Sequence, residues 1–316
     1  MPANMLILTI SPPLAWSAAM RFQSSLRLIA VVATTMATAA VAQPHKIGAI
    51  FQRGDDAIVI TPCPAGGDHD ENCRAVEARS SLQVRKLGSG YIIVRSLWRR
   101  PPRGAGPDII LFGDDGGSGG YGDLFAVTFG RDVQVRTLSG ERMDSATVTP
   151  GKSGPRITLA FDIEFFNGAP HAGAIIVPLP VRWANGDFAL DLPALIRPAP
   201  SPAQANARVA AMTHELREWL AARQNPAVLY PPEAPSGTPI TAKALVEAML
   251  SGHADLARTM LDRSWPRRNG GSPGGKERFW ADLCHAVRAQ PLWQRFGLGR
   301  LPHADLIVAG AEHRAG

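Results

Sequence analysis

The acidic side chains and glycines of residues 114–123 form the segment of this chain best suited to binding a hard cation. The segment reads Asp-Asp-Gly-Gly-Ser-Gly-Gly-Tyr-Gly-Asp and supplies three carboxylates, from Asp114, Asp115 and Asp123. Calcium takes about six to eight oxygen ligands, so these three residues are candidate metal ligands. Their spacing does not match an EF-hand loop, and aspartates among glycines are also typical of a solvated hairpin connection. Calcium is therefore one interpretation of this loop, a plain turn is the other, and no other cofactor is indicated.

Two further segments contain metal-ligating or phosphate-binding residue types, and each has a simpler interpretation. Residues 68–71 read Asp-His-Asp-Glu, but adjacent side chains point in different directions and metal sites draw their ligands from separate segments. Residues 270–276 match the first part of a phosphate-binding loop. They contain Pro273, lack the Ser or Thr that would bind magnesium, and follow no recognisable strand. The first segment is interpreted as a solvated loop and the second as a linker.

The sequence predicts no catalytic residue. Nucleophilic catalysis needs a nucleophile, a base and an orienting acid, but the eight histidines are scattered. The segment Gly116-Gly-Ser118-Gly-Gly resembles a nucleophile elbow but has no strand-to-helix context. His171 stands alone beside Pro170, as surface histidines commonly do. Asp162 and Glu164 alternate with apolar residues, which places both on the solvated face of a predicted strand.

The three cysteines divide into a predicted pair and a single thiol. Cys63 and Cys73 flank a polar, turn-rich segment, which in an oxidising compartment predicts a disulfide that closes the loop. Such a short closed loop would stabilise the fold by about 2–3 kcal/mol. Cys284 lies in a helical pattern with Phe279, Leu283 and Val287, so it is expected to be buried and unreactive.

Residues 20–42 have the organisation of a secretory signal peptide. Arg21 and Arg27 provide a basic start, an apolar run follows from Leu28, and residues 40–42 read Ala-Val-Ala before the predicted cleavage site. Residues 1–19 carry no charge, which favours Met20 as the true start, although a longer leader is the alternative. We expect the mature chain to begin at Gln43, to have no transmembrane span, and to be periplasmic or secreted.

The residues after the leader change from strand patterns to helix patterns near residue 200. Short β-branched and aromatic runs fill residues 43–196, with a hairpin signal at Asn185-Gly186. A Pro-rich linker spans 197–204. Helical periodicity then covers residues 205–223, 242–250, 253–265 and 276–288, with Thr241 as a candidate N-cap and a weakly structured tail after Pro291. This order predicts an α+β protein, with an antiparallel β-sandwich or open barrel followed by a small helical module at 205–316 that includes a helical hairpin.

Composition restricts the function classes. The chain has 33 basic and 27 acidic residues, and the resulting charge of +6 is spread along it, unlike the basic stripe of a nucleic-acid-binding protein. The first hypothesis is a non-enzymatic envelope protein that binds an unknown envelope protein or ligand. Four tryptophans are either exposed anchors for that partner or core residues: Trp219, Trp265, Trp280 and Trp293. The alternative is a secreted hydrolase, with or without calcium, that acts on envelope or extracellular material.

Overall fold

The strands lie in the first part of the chain and pair only with antiparallel neighbours. The computed structural model describes residues 48–63, 71–117, 119–223, 237–266 and 275–312. Within these ranges the strands are β1 (Gly48–Arg53), β2 (Asp56–Pro62), β3 (Arg74–Arg79), β4 (Val84–Tyr91), β5 (Ile93–Arg99), β6 (Ile109–Asp114), β7 (Tyr121–Thr128), β8 (Gln134–Arg142), β9 (Thr147–Thr149), β10 (Arg156–Ile163), β11 (Ile175–Ala184) and β12 (Asp187–Leu190).

Consecutive strands form three four-stranded sheets, none of which closes into a barrel. Sheet 1 contains β1–β4, sheet 2 contains β5–β8 and sheet 3 contains β9–β12, each in sequence order. The hairpin predicted at Asn185-Gly186 joins β11 to β12, with φ of 53° and 75° at its two residues. Positive φ at both positions is what a two-residue hairpin turn requires, which explains the Asn-Gly pair.

The central strands of sheet 2, β6 and β7, are buried on both faces. Ile109 and Leu111 of β6 belong to a hydrophobic cluster shared with sheet 1. Ile110 and Phe112 belong to a second cluster, which contains sheet 3 and the helices. Because successive side chains of a strand point to opposite faces, sheet 2 forms the layer between the two clusters. This explains its continuous apolar runs, which are typical of strands buried on both sides.

The helices follow the strands. They are α1 (Leu192–Leu195), α2 (Pro202–Arg223), α3 (Pro239–Leu250), α4 (Ala254–Ser264), α5 (Gly275–Ala289), α6 (Pro291–Phe296) and α7 (Ala304–Glu312). Thr238 occupies the N-cap position of helix α3, although its side chain makes no capping hydrogen bond. The N-cap predicted at Thr241 is therefore wrong, and Thr241 is buried inside the helix. The tail predicted to be weakly structured instead forms α6 and α7. Helix α7 packs against α5. Gly310 permits this close approach, because a Cβ at that position would lie only 2.7 Å from the Cys284 sulfur. Among the described helices, none has the length and hydropathy needed to cross a bilayer.

The α+β class is confirmed, with strands first and helices after them. Residues from sheet 2, sheet 3 and α2–α7 share one hydrophobic cluster, and Ala42–Gly316 forms one compact unit. The boundary predicted at 197–204 marks the change from strand to helix, although α2 already begins at Pro202. The division into separate domains stays a prediction.

The four tryptophans are core residues rather than exposed anchors. Trp219, Trp280 and Trp293 are at most 7% exposed, and Trp265 packs against the same cluster. Phe279 of α5 makes edge-on ring contacts with Trp219 and Trp265, with ring centroids 6.1 and 5.7 Å apart. The aromatic side chains of the helical part therefore stabilise the fold and do not form a contact surface.

Candidate functional site

The three aspartates predicted to bind calcium each accept a hydrogen bond, two of them within their own loop. Asp114 accepts from the Gly116 N–H at 2.8 Å and Asp115 from the Gly117 N–H at 3.1 Å. Asp123 accepts from the Tyr91 hydroxyl. Within the described residues, no group of three or more His, Cys, Asp or Glu side chains is arranged to hold a metal ion. Calcium binding by this loop stays a prediction.

The structure confirms both predictions about cysteine. Cys63 and Cys73 form a disulfide, with their Cα atoms 5.4 Å apart. Cys284 is a fully buried free thiol, and burial raises its pKa to about 12. Because the thiolate is the reactive form, this thiol is inert at neutral pH. Residues 64–70 and 267–274, which contain most of the other two loops considered from the sequence, lie outside the described residues.

Ionisable side chains from three separate segments meet where β10 ends. Glu164 directly follows β10, and its Oε1 lies 2.7 Å from Nδ1 of His171. Tyr121 is the first residue of β7. Burial, followed by the interaction with the Glu164 carboxylate, raises the pKa of its hydroxyl. Arg142 of β8 is the register partner of Tyr121, so the hairpin between β7 and β8 brings its charge to the same place. The pairing of His171 with Glu164 joins two residues that the sequence treats as separate.

Asp162 is buried beneath this group, so the prediction that it lies on a solvated face is wrong. Its side chain is 3% exposed, and its Oδ2 lies 3.7 Å from Nη1 of Arg142. Neither carboxylate oxygen has a hydrogen-bond partner among the residues that the structure describes. Burial, followed by the negative charge of Glu164, raises the pKa of Asp162, while Arg142 and His171 act in the opposite direction. The alternation of β10 is as predicted, but the adjoining hairpin of sheet 2 covers this end of its polar face.

The backbone after Glu164 holds an exposed aromatic ring in an unfavourable conformation. Phe165 and Asn167 have φ of 54° and 55°, in the left-handed region that bulky side chains rarely adopt. Phe166 between them is buried, and its ring contacts Phe279 edge-on at 5.5 Å. Asn167 donates to the Thr238 hydroxyl at 3.3 Å. The Phe165 ring is left 62% exposed, with its centroid 6.4 Å from that of His171.

We call Tyr121, Arg142, Asp162, Glu164, Phe165 and His171 the β10 corner. The sequence pattern does not single out Tyr121, Arg142 or Phe165, and the one signal was the presence of Tyr121 in the loop at 114–123. Strained backbone and buried ionisable groups together are characteristic of functional sites. The corner offers an aromatic surface, an imidazole oriented by a carboxylate, and a buried acid. Comparison with protein-family models, with curated proteins and with solved structures finds no match for the chain.

Proposed function

We propose that this chain is an exported protein of the cell envelope, periplasmic or secreted, that acts by binding and not by catalysis. The signal-peptide pattern of residues 20–42 supports export. The disulfide between Cys63 and Cys73 supports an oxidising compartment, where such bonds persist. The β10 corner is the surface that contacts the partner.

The observation that carries this proposal is the exposed ring of Phe165 on a strained backbone. Its left-handed backbone costs on the order of 1–3 kcal/mol, and its ring stays 62% exposed. Neither the left-handed backbone nor the exposure of the apolar ring stabilises the folded protein. The buried neighbour Phe166 fixes the loop against α5, so the exposed ring is held on a rigid support. Rigid aromatic side chains of this kind commonly dominate the binding energy of an interface.

The experiment compares capture of envelope components by the mature chain and by two variants. Phe165→Ala removes the displayed ring, and Leu82→Ala is the matched control because Leu82 is 80% exposed in the connection between β3 and β4. We expect a component cross-linked by the mature chain to be lost with Phe165→Ala and retained with Leu82→Ala. Equal capture by all three proteins, with unchanged melting temperatures, would contradict a binding role for the β10 corner.

A second candidate function, a hydrolase, is favoured by the contact between His171 and Glu164. A carboxylate at Nδ1 orients the imidazole and leaves Nε2 to act as a general base toward water. This candidate acts on envelope or extracellular material, with or without calcium. Release of soluble fragments from envelope polymers by the mature chain, lost in His171→Gln and retained in Phe165→Ala, would establish the hydrolase and exclude the purely binding role.

A further inference from the structure

A second surface of sheet 3 carries an arrangement of positive charge that works against folding. Arg156 of β10 pairs directly with Arg182 of β11, so both side chains lie next to each other on the same face. Both residues are exposed. Like charges directly opposite one another across two strands destabilise a sheet. An arginine pair at this position therefore needs an explanation beyond stability.

The surrounding residues neutralise only part of this charge. Asp191 is 7% exposed, and its Oδ2 lies 3.8 Å from Nε of Arg156. The exposed Lys152 lies on the turn before β10 and adds a third positive charge. Among the residues that the structure describes, neither Arg182 nor Lys152 forms an ion pair. Three cations face one carboxylate, which leaves an excess of positive charge.

These side chains line a pocket large enough for a small ligand. The pocket has a volume of about 500 Å³ and is bounded by the turn at residues 150–154, by Arg156 and Arg182, and by Asp191 and Pro193. Ligand pockets commonly have volumes of about 300–1,000 Å³. We call it the basic pocket. Arg156 precedes Asp162 by six residues on β10, so roughly 20 Å of extended strand separates this pocket from the β10 corner.

The geometry points to a binding site for a phosphate group in the basic pocket. Arginine presents N–H donors in a planar fork that matches the oxygens of phosphate, and two such forks side by side suit a group with three or four oxygens. A dianionic phosphate also balances the excess charge left by Asp191. The anion would convert the repulsion between Arg156 and Arg182 into two favourable contacts. The site is independent of the proposed role of the β10 corner.

Isothermal titration calorimetry on the mature chain tests this site. The probes are inorganic phosphate, glycerol phosphate, and vesicles that contain phosphatidylglycerol. We expect Arg182→Ala to weaken binding by about 10- to 100-fold, as the loss of a charge-assisted hydrogen bond implies. The matched control is Arg278→Ala on α5, whose side chain is 86% exposed, and it should bind like the unmodified chain. Arg182→Ala should also fold at least as stably, because it removes a like-charge pair.

The probes separate the possible sources of the phosphate group. Binding of the two soluble probes with sensitivity to Arg182→Ala supports a small phosphate ligand. Binding of vesicles alone with the same sensitivity supports a lipid headgroup as the source of that phosphate. No binding of any probe by the mature chain, or equal binding by Arg182→Ala, would overturn the site. Because the Phe165→Ala experiment uses other residues and another readout, failure of one proposal leaves the other standing.

Discussion

Replacing Asp162 by asparagine should stabilise the protein, although the substitution removes a charge close to Arg142. Burial raises the pKa of Asp162 in the folded state, so the folded protein holds this proton more tightly than the unfolded chain does. The contribution of Asp162 to stability is therefore complete below the unfolded carboxyl pKa of about 3.9. It is lost as the pH rises through the higher folded pKa. Asp162→Asn does not titrate and avoids this loss.

The structure allows a rough magnitude. Arg142 lies 3.7 Å away, and at an effective dielectric constant of about 20 that attraction amounts to about 4–5 kcal/mol. The raised pKa means that burial and the charge of Glu164 outweigh this attraction. Each unit of such a shift corresponds to about 1.4 kcal/mol, so the gain from Asp162→Asn at neutral pH grows with the size of the upward shift. In a chain of this size, each 1 kcal/mol gained raises the melting temperature by about 2–4 °C.

The assay is urea or thermal unfolding of both proteins between pH 4 and pH 8. The quantity compared is the difference in the free energy of unfolding between the two proteins at each pH. The control is Asp144→Asn, because Oδ1 of Asp144 also lies 3.7 Å from Arg142 but its side chain is 40% exposed. The advantage of Asp162→Asn should grow with pH, while the control should stay within about 0.5 kcal/mol of the unmodified protein. If the stability advantage of Asp162→Asn over the unmodified chain were smaller at pH 8 than at pH 4, the reasoning would be refuted.

Two further predictions concern the disulfide and the acidic loop. Replacing Cys63 and Cys73 together by serine opens a loop with a sequence separation of 10; the free energy of unfolding should fall by about 2.7 kcal/mol. Urea unfolding measures this change, and a reducing agent should weaken the unmodified chain but not the variant; an equal effect on both would contradict it. Calcium binding at residues 114–123 predicts a melting temperature that rises with calcium and falls with a chelator. Asp115→Asn should cancel that rise, and equal melting temperatures for the unmodified chain under both conditions would remove calcium from the loop.

The sequence predicts helices well where apolar residues recur with helical spacing over a long stretch. Residues 205–223 and 276–288 were predicted as helices, and α2 and α5 cover both ranges. The sequence does not predict helix α7, because its nine residues include three alanines and a glycine within a short, mostly apolar run. No individual strand of sheet 1 was assigned, since that sheet buries only one face and β4 is mostly exposed. The stability of sheet 1 depends on contacts with neighbouring strands and with sheet 2, and local composition does not reveal these contacts.

The site was less predictable because its properties come from contacts between distant segments. The alternation at Asp162 correctly gave its side of β10, yet burial there depends on Tyr121 and Arg142 from another sheet. The pairing of Arg156 with Arg182 depends on the register of a hairpin whose connection is irregular. A single sequence shows residue types and local periods. It does not show which strand end covers which residue, so the charges of sheet 3 could not be placed in advance.

Three features of sheet 3 and the loop after β10 oppose the stability of the fold that contains them. Arg156 and Arg182 repel each other, and Phe165 combines strain with apolar exposure. Asp162 buries a carboxylate that has no hydrogen-bond partner within the described ranges. Each is removable by one substitution that local physics favours, such as Phe165→Gly, which suits positive φ. If these features persist because of binding, the stabilising substitutions and the substitutions that lose binding are the same ones. If they have no such role, stability rises and binding stays unchanged. Measuring both quantities on Arg182→Ala and Phe165→Gly therefore separates function from structural accident at each position.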